Sequence, residues 1–422
     1  MRIPPIWPLV KRVHQVLPRS LRLFNSSDSP SARHQSVGGD VLNQHGSTDL
    51  ASSGIGLYEA LLAQLAAHPS NNPQTDFASL ADAFSTRTSF RRTRSLACET
   101  LDAASILNRI HNRQQPGPII LRGVASSWPA LNRWDREYFL SRWGEAVVGA
   151  ALGLPTHGVP FLEAEATLRH QLTLRAFWKE MEASGRCYIE QLPLSVLPGL
   201  DDDLRMTELV GATDRLDLNV WLGRGTRSGL HCDPRDNLIT MIRGHKLVVM
   251  ASSAEARRLY PFRDTIIKSQ VNVERPDFAR FPRAAEVEMQ IGRLMPGDVL
   301  YIPAGWWHYV SSPIDDPHIS VNCWFGREQS LSFFASRLLR LGPRYTARLL
   351  QDFLLGGVMG QPVVERFHSL PDGVKLYRTL RHCWIRDDSA HGESAQRIDS
   401  RHRNAETPSA PASRPADPRV RP

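Results

Sequence analysis

SGLHCDPRDN, residues 228–237, places a histidine and an aspartate, His231 and Asp233, two positions apart. On a β-strand, residues i and i+2 point to the same side of the sheet, so both side chains would face one cavity. An imidazole and a carboxylate side by side supply two of the three ligands of a two-histidine, one-carboxylate metal site. Taken alone, a His-x-Asp pattern is common and is usually structural.

The candidate third ligand is His308, in the sequence GWWHYV at residues 305–310. It lies far downstream, so the fold would have to bring it back beside His231 and Asp233. A barrel of antiparallel strands does this when the two segments lie on neighbouring strands. Three such ligands on one face of an iron ion leave positions open for a cosubstrate and O2.

The sequence around these residues is typical of a β-sandwich or barrel. Residues 216–222 alternate between apolar and polar side chains, and short apolar runs follow at 238–242, 246–250, 299–302 and 319–325. Arg243-Gly244-His245, between two of these runs, predicts a hairpin. Upstream, 119–121 predicts a buried strand. Helical spacing is found near 57–67, 100–112, 136–144, 172–184 and 328–356.

Lys246 opens the apolar run 246–250. A lysine in a buried strand needs an anionic partner, because burying an unpaired ammonium is costly. The alternative is an edge-strand lysine whose stem reaches solvent. If Lys246 points inward, a dicarboxylate 2-oxo acid would satisfy it, with one end on the metal and the far carboxylate on the ammonium.

The run from 216 to 325 resembles the JmjC, or cupin-like (cupin 8), branch of the Fe(II)- and 2-oxoglutarate-dependent oxygenases. The matching text is SGLHCDPRDNLITMIRGHKLVVM, LYPF, PDFARFP, PGDVLYIPAGWWHYV and ISVNCWF, and upstream PIILRGVASSWPALNRW and GRCYIEQL. The likeness covers about residues 85–325. It implies a mainly β fold with flanking helices around a double-stranded β-helix, which is a jelly-roll, cupin-like core.

The resemblance also implies roles for single residues. His231, Asp233 and His308 match the family's iron ligands. Lys246 matches the lysine that pairs with the distal carboxylate of 2-oxoglutarate. The further residues that match the 2-oxoglutarate pocket are Ser228, Tyr188, Asn237 and Asn322. Cys232 is a departure, because many relatives carry an aromatic residue between the ligands. His245 and His318 are interpreted as non-ligands, in a turn and before a strand.

The implied enzyme is a dioxygenase that uses Fe(II), 2-oxoglutarate as cosubstrate and O2. It would couple decarboxylation of 2-oxoglutarate to hydroxylation of a protein side chain or another substrate. A small molecule or a tRNA base is the alternative substrate. Histone demethylation is a narrower alternative, although the sequence contains no chromatin-reading zinc module. Two rivals are a catalytically silent JmjC-like binding module and a cupin metalloenzyme without 2-oxoglutarate, which would have no use for Lys246.

Composition sets the remaining bounds. The 422 residues carry a formal net charge of +8, which mildly favours a polyanionic or acidic substrate. No apolar run reaches the roughly 18 residues that a membrane helix needs. The five cysteines are odd in number and form no CxxC pair, which argues against a disulfide scaffold or a cysteine zinc site. A reducing, cytoplasmic location is therefore expected.

The chain divides into five parts by composition. Residues 1–55 are predicted to be a basic N-terminal segment and a disordered linker, and 386–422 a disordered tail. Residues 56–186 are expected to form a mainly helical first part of the oxygenase domain, and 187–327 its JmjC core. The C-terminal helices, 328–385, could mediate a homodimer or simply cap the barrel.

Overall fold

The structure is a computed structural model of the chain. It describes residues 56–67, 73–101, 105–106, 108, 117–154, 168–211, 216–325, 330–365 and 370–381. The predictions for 1–55 and 386–422, and most of the helix predicted over 100–112, lie outside these ranges. Within them, no helix has both the length and the apolar character needed to cross a membrane.

The strands that the structure describes form two sheets. In chain order they are β1 Arg92–Ser95, β2 Cys98–Glu99, β3 Ile119–Leu121, β4 Val147–Leu152, β5 Arg169–Thr173, β6 Cys187–Pro193, β7 Asp217–Arg224, β8 His231–Cys232, β9 Asp236–Arg243, β10 Lys246–Ala251, β11 Glu288–Leu294, β12 Val299–Ile302, β13 Trp307–Ser311 and β14 His318–Phe325. The smaller sheet has the order β1-β11-β10-β13-β8, and the larger has the order β2-β3-β12-β9-β14-β7-β6-β4-β5. Most pairs are antiparallel; β1 with β11 and β2 with β3 are parallel.

Helices flank the sheets. They are α1 Leu57–Ala67, α2 Pro73–Thr88, α3 Pro129–Arg133, α4 Arg136–Trp143, α5 Leu174–Ser184, α6 Met206–Val210, α7 Ser330–Leu341 and α8 Pro343–Asp352. A π-helical turn, Phe353–Val358, follows α8, and the chain is helical again over 372–381. Side-chain caps begin two of these helices: Asp135 accepts from the Tyr138 amide ahead of α4, and Thr173 accepts from the Ala176 amide ahead of α5.

The larger sheet has a hydrophobic cluster on each face, because successive side chains of its strands point to opposite faces. Ile119 and Leu121 of β3 belong to one cluster, and Ile120 between them belongs to the other. Val299 and Leu300 of β12 divide in the same way. The cluster that contains Ile120 and Leu300 fills the space between the sheets and continues under α1 and α2. The other cluster lies beneath α3 to α6.

The predicted hairpin around Gly244 is wrong. Strand β9 pairs with β12 and β14 in the larger sheet, whereas β10 pairs with β11 and β13 in the smaller one. The chain therefore crosses from one sheet to the other at Gly244, whose φ is 67°. A Cβ at this position would lie 2.6 Å from the Pro317 carbonyl oxygen. The turn signal was correct, but it marks a passage between sheets.

Strands upstream of residue 187 belong to the same two sheets. Strand β1 pairs with β11, and β3 pairs with β12. Strands β4 and β5 extend the larger sheet beyond β6. The buried strand predicted at 119–121 is present, and all three of its residues are buried. The sheets thus begin well before the predicted start of the core at residue 187.

Candidate active site

The two candidate histidine ligands lie directly opposite each other on neighbouring strands. Strand β8 pairs antiparallel with β13, and the register sets His231 against His308 and Cys232 against Trp307. The imidazole centroids are 4.2 Å apart. Because successive side chains alternate between faces, the two imidazoles share one side and Cys232 and Trp307 share the other. His231 and His308, although far apart in sequence, are therefore brought together by neighbouring antiparallel strands, as the barrel interpretation requires.

Asp233 completes a cluster with these two histidines. Its Oδ2 lies 3.7 Å from Nε2 of His308. One ring nitrogen from each histidine and one carboxylate oxygen of Asp233 lie within 4.8 Å of one another. Such a set of two nitrogens and one carboxylate oxygen can hold a divalent metal ion on one face.

Backbone carbonyls set the tautomer of both imidazoles. Nδ1 of His231 lies 2.8 Å from the Gly229 carbonyl oxygen, and Nδ1 of His308 lies 3.1 Å from the Trp306 carbonyl oxygen. A carbonyl only accepts, so each Nδ1 carries the proton and each Nε2 carries the lone pair that a metal needs. Burial and, after it, the neighbouring His308 lower the pKa of His231 to about 4. His231 is therefore neutral at physiological pH.

Asp233 is oriented by a tryptophan and by the turn that precedes β13. The indole Nε1 of Trp324 donates to Oδ2 of Asp233 at 3.0 Å. The Gly305 amide donates to the Asp233 carbonyl oxygen at 2.8 Å, and the Ala304 amide donates to Oδ1 of Asp236 at 2.7 Å. The loop after β8 is thereby joined to the turn that leads to the third ligand.

Lys246 points into the molecule. The residue is 3% exposed, and its Nζ donates to the Ser320 hydroxyl at 2.7 Å. Burial lowers the pKa of Lys246 to about 7. Nζ also lies 6.0 Å from the centroid of the Tyr188 ring. No carboxylate in the described part of the chain forms an ion pair with this ammonium, so its charge is available to an anionic ligand.

One cavity collects every site residue that the sequence analysis singled out. Lys246, the three candidate metal ligands and the predicted pocket residues all line it: Ser228, Tyr188, His231, Asp233, Asn237, Lys246, His308 and Asn322. Five further residues line the cavity and were not predicted from the sequence: Trp221, Ile239, Val310, Ser320 and Trp324. Ser320 and Trp324 carry a signal that could have found them, because they alternate with Asn322 along β14 and so share its face.

Hydrogen bonds fix the polar side chains that line this cavity. The Ser228 hydroxyl accepts from the Val310 amide at 2.9 Å and keeps its own proton to donate. Nε1 of Trp221 donates to Oδ1 of Asn322 at 2.6 Å, and Nδ2 of Asn322 donates to Oδ1 of Asn237 at 3.2 Å. Burial raises the pKa of Tyr188 well above its usual value, so its phenol stays protonated.

His245 and His318 lie outside the three-residue cluster. Nδ1 of His245 pairs with the Tyr58 hydroxyl at 2.7 Å. His318 is fully buried at the first position of β14, so its predicted place before the strand was wrong by one residue. Burial and the nearby Lys246 hold the pKa of His318 well below its usual value. Burial lowers the pKa of His245 to about 4, so both rings are neutral, and neither belongs to the candidate metal site.

Comparison with known families agrees with this architecture. Residues 104–330, more than half of the chain, match the family model described as a cupin-like domain. The chain belongs to the cupin-like family. The predicted resemblance and the predicted jelly-roll core with flanking helices are thereby confirmed.

Related proteins carry Jumonji C and demethylase names. The chain is 34% identical over 216 residues to "Lysine-specific demethylase 8" of Xenopus tropicalis, which covers 49% of this chain and 48% of that protein. It is 30% identical over 220 residues to "Jumonji C domain-containing protein 5" of Drosophila melanogaster, with coverages of 49% and 54%. Over 254 residues it is 30% identical to "Lysine-specific demethylase JMJ30" of Arabidopsis thaliana, with coverages of 57% and 58%. The chain thus spans about half the length of the relatives it matches.

Proposed function

We propose that this cupin-like protein is an Fe(II)- and 2-oxoglutarate-dependent dioxygenase that hydroxylates a protein side chain or another substrate. The observation that carries the proposal is the shared cavity: His231, Asp233 and His308 line it together with the buried ammonium of Lys246. A metal site alone fits many cupins. The buried ammonium of Lys246 also requires an anionic partner, and a dicarboxylate could bind the metal at one end and this ammonium at the other.

The donor chemistry fits ferrous iron. Two neutral imidazoles and one carboxylate are the ligands of the non-haem Fe(II) oxygenases. Carbonyl acceptors hold both imidazoles in the tautomer that ligates through Nε2. Trp324 holds the Asp233 carboxylate. His231, Asp233 and His308 would thus bind the iron with little rearrangement. When bound, iron and its cosubstrate supply the oxidising power for the reaction.

The residues further inside the cavity fit 2-oxoglutarate. Lys246 would bind the distal carboxylate through a charge-assisted hydrogen bond, and its present partner Ser320 would remain beside it. Ser228 and Tyr188 offer hydroxyl donors to the same carboxylate. Asn237 and Asn322, already joined to each other, would orient the end of the molecule nearer the metal. Burial strengthens each of these interactions because it keeps water out.

Demethylation of a lysine is the second candidate, favoured by the names of two relatives with 34% and 30% identity. It begins with hydroxylation of the N-methyl carbon, after which the C–N bond breaks and formaldehyde leaves. The two outcomes differ in product mass. Stable hydroxylation adds one oxygen to the substrate, whereas demethylation removes one CH2 and releases formaldehyde. A tRNA base and a small molecule remain the alternative substrates.

The first experiment tests whether the site works as an oxygenase. Anaerobically purified protein is supplied with Fe(II), 2-oxoglutarate and air, and the succinate released in the absence of added substrate is measured. We expect succinate release from the wild-type protein and its loss in Asp233→Ala, with the matched surface variant His170→Ala unaffected. Wild-type protein that binds iron but releases no succinate would indicate a silent binding module.

The role of Lys246 separates this enzyme from a cupin metalloenzyme that does not use 2-oxoglutarate. Loss of one charge-assisted hydrogen bond should weaken 2-oxoglutarate binding by about tenfold to hundredfold in Lys246→Ala. Lys179→Ala, which removes a lysine from an exposed position of α5, is the control. Unchanged 2-oxoglutarate affinity in Lys246→Ala would overturn the assignment of the cosubstrate.

The second experiment identifies the substrate. The protein, Fe(II) and 2-oxoglutarate are incubated with lysate of the host cell, and peptides, tRNA nucleosides and metabolites are compared by mass spectrometry with an Asp233→Ala reaction. A protein hydroxylase yields peptides heavier by one oxygen. Peptides that are lighter by one CH2, accompanied by released formaldehyde, would show that the protein is a demethylase and not a hydroxylase.

Two broader expectations belong to the same proposal. A homodimer through the C-terminal helices is supported by apolar side chains that remain exposed there, among them Leu339 and Leu350. A cytoplasmic location is supported by the cysteines: Cys98, Cys187, Cys232 and Cys323 are all free thiols.

A further inference from the structure

A second cavity lies between helix α7 and the turn before β13. Its volume is about 330 Å³, within the range of about 300–1,000 Å³ typical of small-molecule sites. It shares no lining residue with the candidate active site. The residues that shape it are Ser253, Gly305, Phe333, Ser336, Arg337 and Arg340.

Arg337 is a buried cation at the wall of this cavity. The residue is 4% exposed, and its guanidinium stacks 4.4 Å from the centroid of the Trp307 ring and 5.4 Å from that of Phe333. Nε donates to the Ile266 carbonyl oxygen at 3.2 Å, and the guanidinium also interacts with the buried Cys232 thiol, where it partly offsets the rise in the thiol pKa that burial causes. A buried guanidinium that has no carboxylate partner among the described residues is costly, which favours an anionic ligand in the cavity that it lines.

Arg340 adds a second guanidinium one helical turn away. Its Nη1 donates to the Ser253 hydroxyl at 3.3 Å. None of the residues lining the cavity is acidic, and neither arginine forms an ion pair with a carboxylate in the described residues. The acid closest to Ser253 in sequence, Glu255, is already paired with Arg258 at 3.0 Å. The cavity therefore carries two positive charges that nothing described here neutralises.

Hydroxyl groups and open space complete the site. Ser253 and Ser336 supply two hydroxyls at the wall. Gly305 has a φ of 82°, and a Cβ on it would lie 3.2 Å from the Phe333 ring, so a larger residue would intrude on this space. Guanidinium forks with hydroxyl donors are a typical arrangement for the oxygens of a phosphate group.

We propose that this cavity binds a phosphate oxyanion, held by Arg337, Arg340 and the hydroxyls of Ser253 and Ser336. The ligand is free inorganic phosphate or the phosphate group of a small molecule. The proposal does not depend on the oxygenase activity, because it rests on different residues and a different cavity.

The cavity wall is connected to the candidate metal site through the backbone. Gly305 lines the cavity, and its amide donates to the Asp233 carbonyl oxygen at 2.8 Å. Trp307, beneath the Arg337 guanidinium, immediately precedes His308. A phosphate bound here would therefore rest against the two segments that carry candidate metal ligands, which gives the site a route to influence them.

The test measures phosphate binding directly. The full chain is titrated calorimetrically with inorganic phosphate at constant ionic strength, and its melting temperature is followed in parallel. We expect saturable binding by the wild-type protein and at least tenfold weaker binding by Arg340→Gln and by Ser253→Ala. Arg344→Gln removes an exposed arginine at the start of α8, outside the cavity, and should bind phosphate like wild type.

Three results would overturn the proposal: no saturable binding, binding unchanged in Arg340→Gln, or an equal loss in Arg344→Gln. Arg337→Gln could fail to fold because its side chain is buried, so the decision rests on the two exposed-side variants. A parallel titration with glycerol 3-phosphate separates the sources. Tighter binding of the ester indicates a phosphorylated small molecule, and tighter binding of inorganic phosphate indicates the free ion. Citrate binding more tightly than both would replace phosphate by a carboxylate ligand.

Discussion

The Asp233 carboxylate owes its orientation to one indole. Trp324 donates to Oδ2, the same oxygen that lies 3.7 Å from Nε2 of His308. A carboxylate that can rotate freely presents its oxygens to the metal only part of the time. Partners of this kind therefore contribute to metal affinity without touching the metal.

Trp324→Phe removes this hydrogen bond and keeps most of the ring. We expect Fe(II) affinity to fall by about tenfold to hundredfold, as is typical when a partner of a metal ligand is lost. Binding is measured by calorimetry with Mn(II) as an air-stable substitute. Trp178→Phe is the matched control, since the buried indole nitrogen of Trp178 has no partner in the described residues. If Trp324→Phe binds Mn(II) as tightly as Trp178→Phe does, the Trp324 hydrogen bond does not contribute to metal affinity.

Lys246 predicts how cosubstrate binding depends on pH. Its pKa is lowered to about 7 by burial, so the empty pocket loses its ammonium as pH rises above 7. His318, which packs nearby, stays neutral because its pKa lies far below this range. A carboxylate needs the charged form, so the 2-oxoglutarate Kd should be flat below pH 7 and rise about tenfold per pH unit above it.

The measurement is a calorimetric titration of 2-oxoglutarate from pH 6 to 9 in the presence of Mn(II). Lys246→Ala should bind weakly at every pH and lose this slope. A wild-type Kd that stays constant to pH 9 would mean that Lys246 remains charged in the pocket or does not contact the ligand.

Many of the residues that line the candidate site could be picked out from local sequence. His231 and Asp233 stand at strand spacing, and Lys246 is conspicuous because it opens an apolar run. The partner contacts were not visible, because Trp324 reaches Asp233 and Ser320 reaches Lys246 only across strands. Alternation along β14 restricts which side chains share a face, but it does not say what lies opposite.

Gly244 forms a connection between the two sheets. The glycine takes the chain from the last residue of β9 in one sheet to the first residues of β10 in the other. It does so at a φ of 67°, beneath the Pro317 carbonyl oxygen. Both the backbone conformation and the close approach exclude a side chain.

Gly244→Ala should lower the free energy of unfolding by more than the roughly 1–2 kcal/mol that a left-handed conformation alone costs. The added methyl would also meet backbone atoms of residues 317 and 318. Gly153→Ala is the control, because Gly153 has a φ of 65° but open space around its Cβ position. Urea denaturation of both variants checks the difference, and equal losses would show that the close contact relaxes without cost.

The strands themselves were more predictable than their partners. Apolar runs at 238–242, 246–250 and 299–302 each became a strand because alternation and β-branched content are local properties. Sheet membership is set by pairing partners distant in sequence. For this reason the turn at 243–245 was assigned to a hairpin, although β10 pairs with β11 and β13.

At the scale of the whole molecule, hydrophobic clusters lie against both faces of the larger sheet, whereas the C-terminal helices keep apolar side chains in solvent. Leu339 of α7 is 82% exposed and Leu350 of α8 is 52% exposed. On the dimer proposal, the double variant Leu339→Glu/Leu350→Glu should be monomeric where the wild-type protein is dimeric, because charge is costly in an apolar interface.

Light scattering coupled to size-exclusion chromatography measures the change. Val147→Glu, at an exposed apolar position of β4, should leave the mass as it is. A wild-type protein that is monomeric at micromolar concentration would favour the helical cap over the dimer.

The overall architecture was accessible because the family motifs span the core continuously, from the His-x-Asp segment to β14. Strand β3 was predicted, but the extension of the sheets by β1, β2, β4 and β5 was not: β1 and β2 are only four and two residues long, and β5 has few buried side chains. Short edge strands carry too few residues for a periodic signal.

The pairing of Cys232 with Trp307, described above beside that of the two imidazoles, has a consequence for folding fidelity. Both side chains are completely buried on the reverse face of β8 and β13. A slip of one position between these strands would turn an imidazole outwards and also drive a polar ring into the hydrophobic layer. The energetic penalty on the buried face therefore opposes a register shift that would separate the two imidazoles.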